Sequence, residues 1–371
     1  MDKITRKTSF GQWFSPINLQ LFEEQVKTMK LDRYTKKLTT ESFLKLLLFA
    51  QLHEVESLHA LRDCLFDDQL QKGVGLDSIS ISQLSRRLNG MNPDVFQRLF
   101  LDLVSQIHAK THDSQRVMPL KIIDSSTLPL NLTNHKWALF RKTKAGVKLH
   151  LRLVFIEKGI FYPEKAVLTT AKEHDRGQLE IMVDDKECMY VFDRGYLDYE
   201  RFDRMTDDGY FFLSRLRKNA VIRAVYDFKR SENSTVLSDQ MVLIGTTQNR
   251  TENYFRLLRV MDSKGNELQL LTNRFDLSAE DISEMYKSRW AIELFFKWMK
   301  QHLNIKKFYG QSEWAIQNQV FIALIVFCLH VLVQIETNSR RKTLQISRYL
   351  RAALWKPAHI WLRKIEGKVV P

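Results

Sequence analysis

The spacing of apolar residues changes along the chain and divides it into helical and strand-rich stretches. Up to about residue 111, apolar residues recur at intervals of three and four, as at Phe43, Leu46, Leu47 and Ala50, which predicts helices. From Met118 the period becomes two in segments such as KLHLRLVFIEKGIFY, which predicts strands. We therefore predict an α/β fold class, in which an all-α N-terminal domain precedes a mixed sheet covered by helices.

Two acidic residues follow short apolar runs in the strand-rich part. Asp124 stands in KIIDSSTLPL and Asp193 in CMYVFDRGY, so each is predicted at the end of a buried strand. A single aspartate in such a place is more often a turn or helix-capping residue, whereas two at one sheet edge favour a ligand site. His174 and Asp175 precede the helix between these strands. There a helix cap is the preferred interpretation and a role near the site the alternative.

A charged helix is predicted after a second strand-rich stretch, residues 210–276. In YKSRWAIELFFKWMK, Tyr286, Arg289, Glu293, Lys297 and Lys300 lie along one line of a single helix, with Ala291, Leu294, Phe295 and Trp298 on the opposite face. The ordinary interpretation is a solvated face with ion pairs one turn apart. The alignment of an aromatic residue and cations with one acid favours a metal-binding carboxylate beside phosphate-binding groups.

The net charge of the chain indicates a polyanionic partner. Its 371 residues include 57 Lys and Arg against 43 Asp and Glu, a formal net charge of +14, which favours nucleic acid. A membrane surface is the rival, but the basic residues do not gather beside an apolar anchor. The most apolar run, residues 320–333, is too short to span a bilayer and predicts a buried core helix. Three scattered cysteines and the lack of a signal peptide predict a cytoplasmic protein.

A short basic helix in the N-terminal part is a candidate for DNA binding. Ser82 is predicted to cap a helix that carries Arg86 and Arg87 and ends at Asn89-Gly90. Flanked by helices, it is similar to the recognition element of a helix-turn-helix motif. An ordinary helical cap with a basic surface is an equally good interpretation.

Three carboxylates on two strand ends and a helix suit a pair of divalent cations about 3.5–4 Å apart. One cation would prepare the attacking oxygen and the other would stabilise the leaving oxygen of a phosphoryl substitution. Because the ligands are hard oxygens without a cysteine or histidine cluster, Mg²⁺ is the expected metal.

At this point the sequence resembles the bacterial Asp-Asp-Glu insertion-sequence transposases of the insertion-sequence family numbered four. Their signature Y-x2-R-x3-E-x6-K matches Tyr286, Arg289, Glu293 and Lys300, and Trp290 and Lys297 are similar to its usual neighbours. The resemblance implies a ribonuclease H-like fold interrupted by a β-strand insertion before the last acid. It implies that Asp124, Asp193 and Glu293 are the catalytic and metal-binding residues. It further implies DNA contacts from Tyr286, Arg289, Lys297 and Lys300, in addition to the candidates Arg86 and Arg87.

The resemblance also implies an activity and partners. The expected reaction is cut-and-paste transposition through hairpin ends, with two Mg²⁺ ions per site, or Mn²⁺ in their place. The expected partners are double-stranded DNA, at element ends and target, and a second copy of the chain on that DNA, with no membrane. The predicted parts are a helical N-terminal domain (1–112), the first part of the catalytic domain (113–209), the insertion (210–276), the last part of the catalytic domain (277–336) and a basic C-terminal tail (337–371).

Two alternatives remain open from the residues. A structure-directed nuclease could share the fold and metals without strand transfer. A non-catalytic DNA-binding regulator would need only the N-terminal helices and the basic tail. The intact acids argue against the regulator and do not exclude the nuclease.

Overall fold

The computed structural model describes residues 7–111, 118–173, 175–229, 236–262, 264–302 and 308–366, without the side chains of Arg176 and His302. The chain divides into two compact units. The helical unit comprises Met1–Asp113, Leu128–Gly146 and Lys297–Pro371, and the sheet unit comprises Ser114–Thr127 and Val147–Phe296.

The helical unit is built around one long helix. In sequence order, its helices and a short strand, β2, are α1 (Ser9–Phe14), α2 (Leu19–Thr28), α3 (Thr40–Leu52), α4 (Leu58–Cys64), α5 (Asp68–Val74), α6 (Ile81–Gly90), α7 (Asp94–Thr111), β2 (Leu139–Arg141), α12 (Glu313–Glu336), α13 (Thr343–Ala352) and α14 (Ala358–Ile365). The central helix is α12, which packs against α7, α3 and α6. Helix α12 is apolar on every side, and such a helix is stable in water only when other elements cover it.

Helix α12 confirms the predicted core helix and extends it from 14 to 24 residues. Among the described residues it is the single helix long and apolar enough to cross a membrane, but 94% of its most apolar window is buried inside the protein. The predicted basic tail contains two helices, α13 and α14, which belong to the same unit. These helices bury Ile346 and Trp361. The N–H of Ser9 donates to the carbonyl of Lys356 at 2.8 Å, so segments near both ends of the chain meet there.

The sheet unit holds the remaining elements: β1 (Leu120–Leu130), β3 (Lys144–Glu157), β4 (Ile160–Thr170), α8 (Asp175–Met182), β5 (Met189–Phe192), α9 (Tyr199–Asp207), β6 (Phe211–Arg215), β7 (Ile222–Asp227), β8 (Val236–Ile244), β9 (Phe255–Met261), β10 (Glu267–Thr272), α10 (Ala279–Ser288) and α11 (Trp290–His302). Strands β1 and β3 and helix α11 continue into the helical unit. The strand order is β2-β3-β1-β5-β6-β10-β9-β8-β7, and β4 also pairs with β3. Strand β5 pairs parallel with β1 and with β6. From β6 through β10, β9 and β8 to β7, each strand pairs antiparallel with the next.

The two units do not coincide with the predicted domain boundaries. The predicted insertion, residues 210–276, begins just before β6, which pairs parallel with β5, and its later strands extend the same sheet. One hydrophobic core joins both parts, because Phe192 and Phe202 beside β5 pack with Phe212 of β6 and Phe255 of β9. The N-terminal helices likewise share the core of α12, so they do not form a core of their own.

The cap of α6 differs from the prediction. Ser80, not Ser82, caps α6, because its hydroxyl accepts from the N–H of Gln83, whose side chain accepts from Ser80 in return. Thr39 caps α3 by accepting from the N–H of Ser42, and Ser278 caps α10 by accepting from the N–H of Asp281.

The predicted single helix 286–300 is two helices that meet at Arg289. The Arg289 N–H donates to the carbonyl of Tyr286, and the Ile292 N–H donates to the carbonyl of Arg289, which tightens the turn between α10 and α11. The buried stripe of α11 is Ala291, Ile292, Phe295, Phe296 and Met299. The prediction was therefore right for Ala291 and Phe295 and wrong for Leu294, which is 46% exposed.

Candidate active site

The register of two parallel strands places the first two acids beside each other. Ile123 of β1 pairs with Phe192 of β5, and the residue that follows each of them is Asp124 and Asp193 respectively. Asp193 follows the last residue of β5, as predicted, but Asp124 lies within β1, which continues to Leu130, so its predicted position at a strand end was wrong. The two acids nevertheless lie together where the parallel pairing of β1 with β5 ends. The long-range pairing of β1 with β5 thus brings together acids that are 69 positions apart in the chain.

Asp124 lies in an environment that opposes its ionisation. Burial raises the pKa of its carboxyl to about 7, and the charges of Asp193 and Asp175 act in the same direction. The backbone N–H of Ser125, 2.7 Å from Asp124 Oδ1, and the guanidinium of Arg289 act in the opposite direction. A carboxyl with a raised pKa beside a second carboxylate is the arrangement that a bound cation stabilises.

Asp193 is held by the turn that follows β5. Its Oδ1 accepts a hydrogen bond from the N–H of Gly195 at 2.7 Å and caps a short 3-10 turn, Arg194–Tyr196. A Cβ at Gly195 would lie 2.8 Å from Asp193 Oδ1, so any larger residue would displace this carboxylate. Glycine at position 195 therefore serves the placement of the second acid.

Arg289 connects the third acid to the first. Its Nη2 donates to Glu293 Oε1 at 2.5 Å, and its guanidinium lies 5.7 Å from the centre of the Tyr286 ring. Burial alone would lower the pKa of Arg289, but Tyr286, Glu293 and Asp124 outweigh burial and raise it. The Arg289 Nε is buried without a hydrogen-bond partner among the described residues. Arg289 is thus a permanent cation with one unused N–H beside the acids.

The three acids supply the oxygen ligands that divalent cations such as Mg²⁺ prefer. Asp124 and Asp193 are neighbours, and Glu293 forms its ion pair with Arg289. Among the described residues, no three acidic, histidine or cysteine side chains are grouped closely enough to hold a metal ion. The chemistry of the donor set and the raised pKa of Asp124 nevertheless fit a divalent cation.

The other predicted DNA contacts differ in their surroundings. Tyr286 is 8% exposed, whereas Lys297 and Lys300 lie on α11 with exposed side chains. Trp290, at the start of α11, is 56% exposed.

The two arginines of α6 are not equivalent. Arg86 is exposed. Arg87 is 18% exposed and forms an ion pair with Asp32, and it also donates to the carbonyl of Leu31 and the hydroxyl of Thr40, each at 2.7 Å. Arg87 is therefore bound within the helical unit, and Arg86 is the better placed of the two for an external partner.

Sequence reasoning missed most of a polar group next to Asp124. Ser125, Lys148 and His150 surround the carboxylate of Asp175, whose active-site role had been only the lesser interpretation. His174 lies outside the described residues. The signal available in the sequence was the alternation of Lys148, His150 and Arg152 with apolar residues along β3.

Comparisons with known proteins show which family the chain belongs to. Residues 115–329, more than half of the chain, match the family described as Transposase DDE domain. Residues 5–76 match a domain of unknown function, DUF4372. The chain is 33% identical over 258 residues to the probable transposase for insertion sequence element IS5377 of Geobacillus stearothermophilus, an alignment that covers 69% of this chain and 67% of that relative.

A second relative, named as a transposase for insertion sequence element IS4SA of Synechocystis sp., is 25% identical over 301 residues, 78% of this chain and 82% of the relative. Among solved structures, the cryo-EM structure of the piggyBac transposase synaptic complex with hairpin DNA has a similar fold. Its TM-score is 0.51 at 10% sequence identity, and the match covers all of this chain and 87% of that chain.

The mixed sheet with its covering helices is a ribonuclease H-like fold. More specifically, the chain belongs to the Transposase DDE domain family and is a bacterial insertion-sequence transposase, as the signature residues predicted.

Proposed function

We propose that this transposase binds the ends of its insertion sequence, cleaves them by metal-assisted phosphoryl transfer and joins the 3′ ends to target DNA. The observation that carries the proposal is the register of β1 with β5, which sets Asp124 and Asp193 side by side within the electrostatic reach of Arg289. Arg289 in turn is paired with Glu293.

Each residue has a distinct role in this proposal. Asp124, Asp193 and Glu293 would hold two Mg²⁺ ions, which when bound would supply Lewis-acid activation of the attacking and leaving oxygens. Arg289 would stabilise the scissile phosphate through its positive charge, and Tyr286 packs beside its guanidinium. Lys297 and Lys300 would contact the flanking phosphates from α11.

The same chemistry would serve every step of cut-and-paste transposition, because nicking, hairpin formation, hairpin opening and joining are all phosphoryl substitutions. The related fold was captured with hairpin DNA, which supports hairpin ends as the proposed intermediate here. The protein is proposed to act in the bacterial cytoplasm, on double-stranded DNA and without a membrane partner.

The decisive experiment incubates purified protein with Mg²⁺ and labelled DNA that carries the ends of its own element. Joined products support the proposal, while cleavage without joining would indicate a nuclease and binding without cleavage a regulator. Asp124→Asn, Asp193→Asn and Glu293→Gln should each lower cleavage by at least about 10³-fold and leave DNA binding within about twofold. A variant that cleaves at the wild-type rate would exclude its residue from the site.

We further propose a homodimer on paired ends, because the chain carries one set of Asp124, Asp193 and Glu293 and two DNA ends must be cut and joined together. Mixing active protein with the Glu293→Gln variant should then reduce paired-end products more than in proportion to the inactive fraction. A strictly proportional loss, with one protein per two ends, would contradict the dimer.

A further inference from the structure

A fourth carboxylate lies beside the proposed catalytic acids. Asp175, the first residue of α8, accepts a hydrogen bond from the Ser125 hydroxyl at 2.6 Å. The backbone N–H of the same serine donates to Asp124 Oδ1 at 2.7 Å. Asp175 is therefore connected to the first acid through a single residue, although 51 positions separate the two acids in sequence.

Strand β3 holds Asp175 from a second direction. Lys148 Nζ lies 3.3 Å and His150 Nδ1 lies 3.6 Å from Asp175 Oδ1. These two residues are two positions apart on one strand, so their side chains share a face of the sheet. Lys148 also donates to the carbonyl of Glu173 at 3.1 Å, which ties the segment leading into α8 to β3.

The imidazole of His150 is uncharged near neutral pH, so Lys148 supplies the positive charge that balances Asp175. The His150 side chain is completely buried, and burial lowers its pKa to about 4 despite the opposing charge of Asp175. Its Nε2 lies 3.0 Å from the hydroxyl of Thr169 on β4. Both side-chain partners of Asp175 on β3 are thus fixed by other contacts.

Asp175 is not needed for the packing of its own helix. The buried side chains of α8 are those of Leu179 and Met182 in the unit's hydrophobic core, together with the polar Gln178. The described contacts of Asp175 instead converge on Ser125 and on β3 next to Asp124. Because burying a carboxylate costs free energy and Asp175 adds no core contact in return, its placement indicates a role in the site.

We propose that Asp175 is a positioning residue, which fixes the orientation of Asp124 through Ser125 and is itself anchored by Lys148. This inference rests on the proposed function, in which Asp124 is a catalytic acid. Groups that bind a metal ligand from behind set its rotamer, and their loss typically costs 10–100-fold in metal affinity or activity. Asp175 would act on the reaction without contacting the DNA or the cations.

The test compares Asp175→Ala, Asp175→Asn and Ser125→Ala with a matched control on the same helix. The control is Glu180→Ala, which removes an exposed α8 carboxylate that pairs with Arg201 at 2.9 Å. Single-turnover cleavage, DNA affinity, thermal unfolding and Mn²⁺ binding to the protein–DNA complex by electron paramagnetic resonance are measured for each. Asp124→Asn serves as the reference for loss of a catalytic acid.

Asp175→Ala is expected to slow cleavage by about 10–100-fold and to weaken Mn²⁺ binding by a similar factor. The number of bound Mn²⁺ ions and the DNA affinity should not change. Ser125→Ala should slow cleavage by a similar factor, because it removes the hydroxyl that links the two acids. Asp175→Asn should slow cleavage less, since its amide oxygen still accepts a hydrogen bond from Ser125. Glu180→Ala should match the wild type.

Three results would overturn the inference. Wild-type cleavage by Asp175→Ala would show that Asp124 needs no such support. Loss of one bound Mn²⁺ ion would make Asp175 a metal ligand. A fall in activity that only follows a fall in the unfolding temperature would show a structural role. If Asp124→Asn itself remains active, the proposed site fails, and this outcome is separate from the other three.

Discussion

The two units of this transposase bury different kinds of side chain. In the helical unit, α12 buries mainly apolar side chains between Ala315 and Val333, and His330 is one of the few titratable groups among them. In the sheet unit, Lys121, Arg152 and Arg256 are each at least nine-tenths buried and all are paired with carboxylates. A unit that buries paired charges needs accurate geometry, whereas a unit that buries apolar surface needs mainly volume and shape.

The buried charges of the sheet unit hold the strands that carry the acids. Lys121, three residues before Asp124 on β1, pairs with Glu164 of β4 at 2.8 Å and with Asp185 at 2.9 Å. Arg152 of β3 pairs with Glu164 at 2.6 Å. Burial would lower the pKa of Lys121, but the carboxylates outweigh burial and raise it. This network joins β1, β3, β4 and the segment before β5, so charge placement in this unit sets the alignment of the site.

The largest effect on stability is expected from breaking a buried ion pair of the sheet unit. Arg256 donates to both oxygens of Asp239 and to the carbonyl of Leu277, next to the cap of α10. Arg256→Met should cost about 3–5 kcal/mol, because it leaves the Asp239 carboxylate buried without a partner. Denaturant unfolding measures the loss. Arg259→Met on the same strand, whose partner Glu267 is exposed, should cost less than about 1 kcal/mol.

The double variant Arg256→Met with Asp239→Leu sharpens this prediction. Removal of both charges should recover most of the lost stability, since no unpaired charge remains. Equal losses in the single and double variants would show that packing of the arginine, and not charge pairing, stabilises this part of the sheet.

In the helical unit the corresponding loss should come from a cavity. Leu329→Ala removes a completely buried side chain of α12 and should cost about 2–5 kcal/mol in denaturant unfolding. Leu101→Ala on α7, where the leucine is 45% exposed, is the matched control and should cost much less. We expect single-turnover cleavage by the folded Leu329→Ala protein to stay within about threefold of the wild type. A loss comparable to that of Glu293→Gln would show that the helical core also sets the site.

The stability of the helical unit should depend on pH through His330. Burial lowers the pKa of this imidazole to about 4, and its Nδ1–H donates to the carbonyl of Val326. Because the pKa in the folded state is below that of the unfolded chain, the stabilisation is complete above about pH 6.5 and is lost as the pH falls toward 4. The loss should reach up to about 3 kcal/mol.

Unfolding measured at several pH values in wild type and His330→Gln checks this prediction. The variant should lose a smaller part of its stability between pH 6.5 and 4 than the wild type. Parallel pH profiles would assign the acid sensitivity of the protein to other groups.

The smallest expected effects concern the two arginines of α6, whose substitutions should differ in their consequences. Arg87→Ala should cost about 1–3 kcal/mol of stability, because it removes hydrogen bonds that involve a charged group at Asp32 and Thr40. Arg86→Ala should leave stability unchanged. If Arg86 contacts a DNA phosphate, its loss should weaken binding uniformly and make the salt dependence shallower; a base contact would instead relax sequence preference. Identical behaviour of the two variants in both assays would contradict this distinction.

Much of the site could be predicted from local sequence signals. Short apolar runs located β1 and β5, and Asp124 and Asp193 directly follow those runs, although β1 continues beyond Asp124. The apolar run of α12 was an equally local signal, because the burial of a helix follows from its side-chain composition. Such signals can be interpreted without knowledge of the fold, because the residues involved are close together in the sequence.

What the tertiary structure alone decided involves partners that are distant in sequence. The register of β1 with β5, the bond from Ser125 to Asp175 and the pairing of Arg87 with Asp32 each join residues 50 or more positions apart. The continuation of the predicted insertion as part of the central sheet is of the same kind. Side-chain periodicity states which face of a strand is buried but not which strand lies beside it, so these contacts arise only when the strands pair.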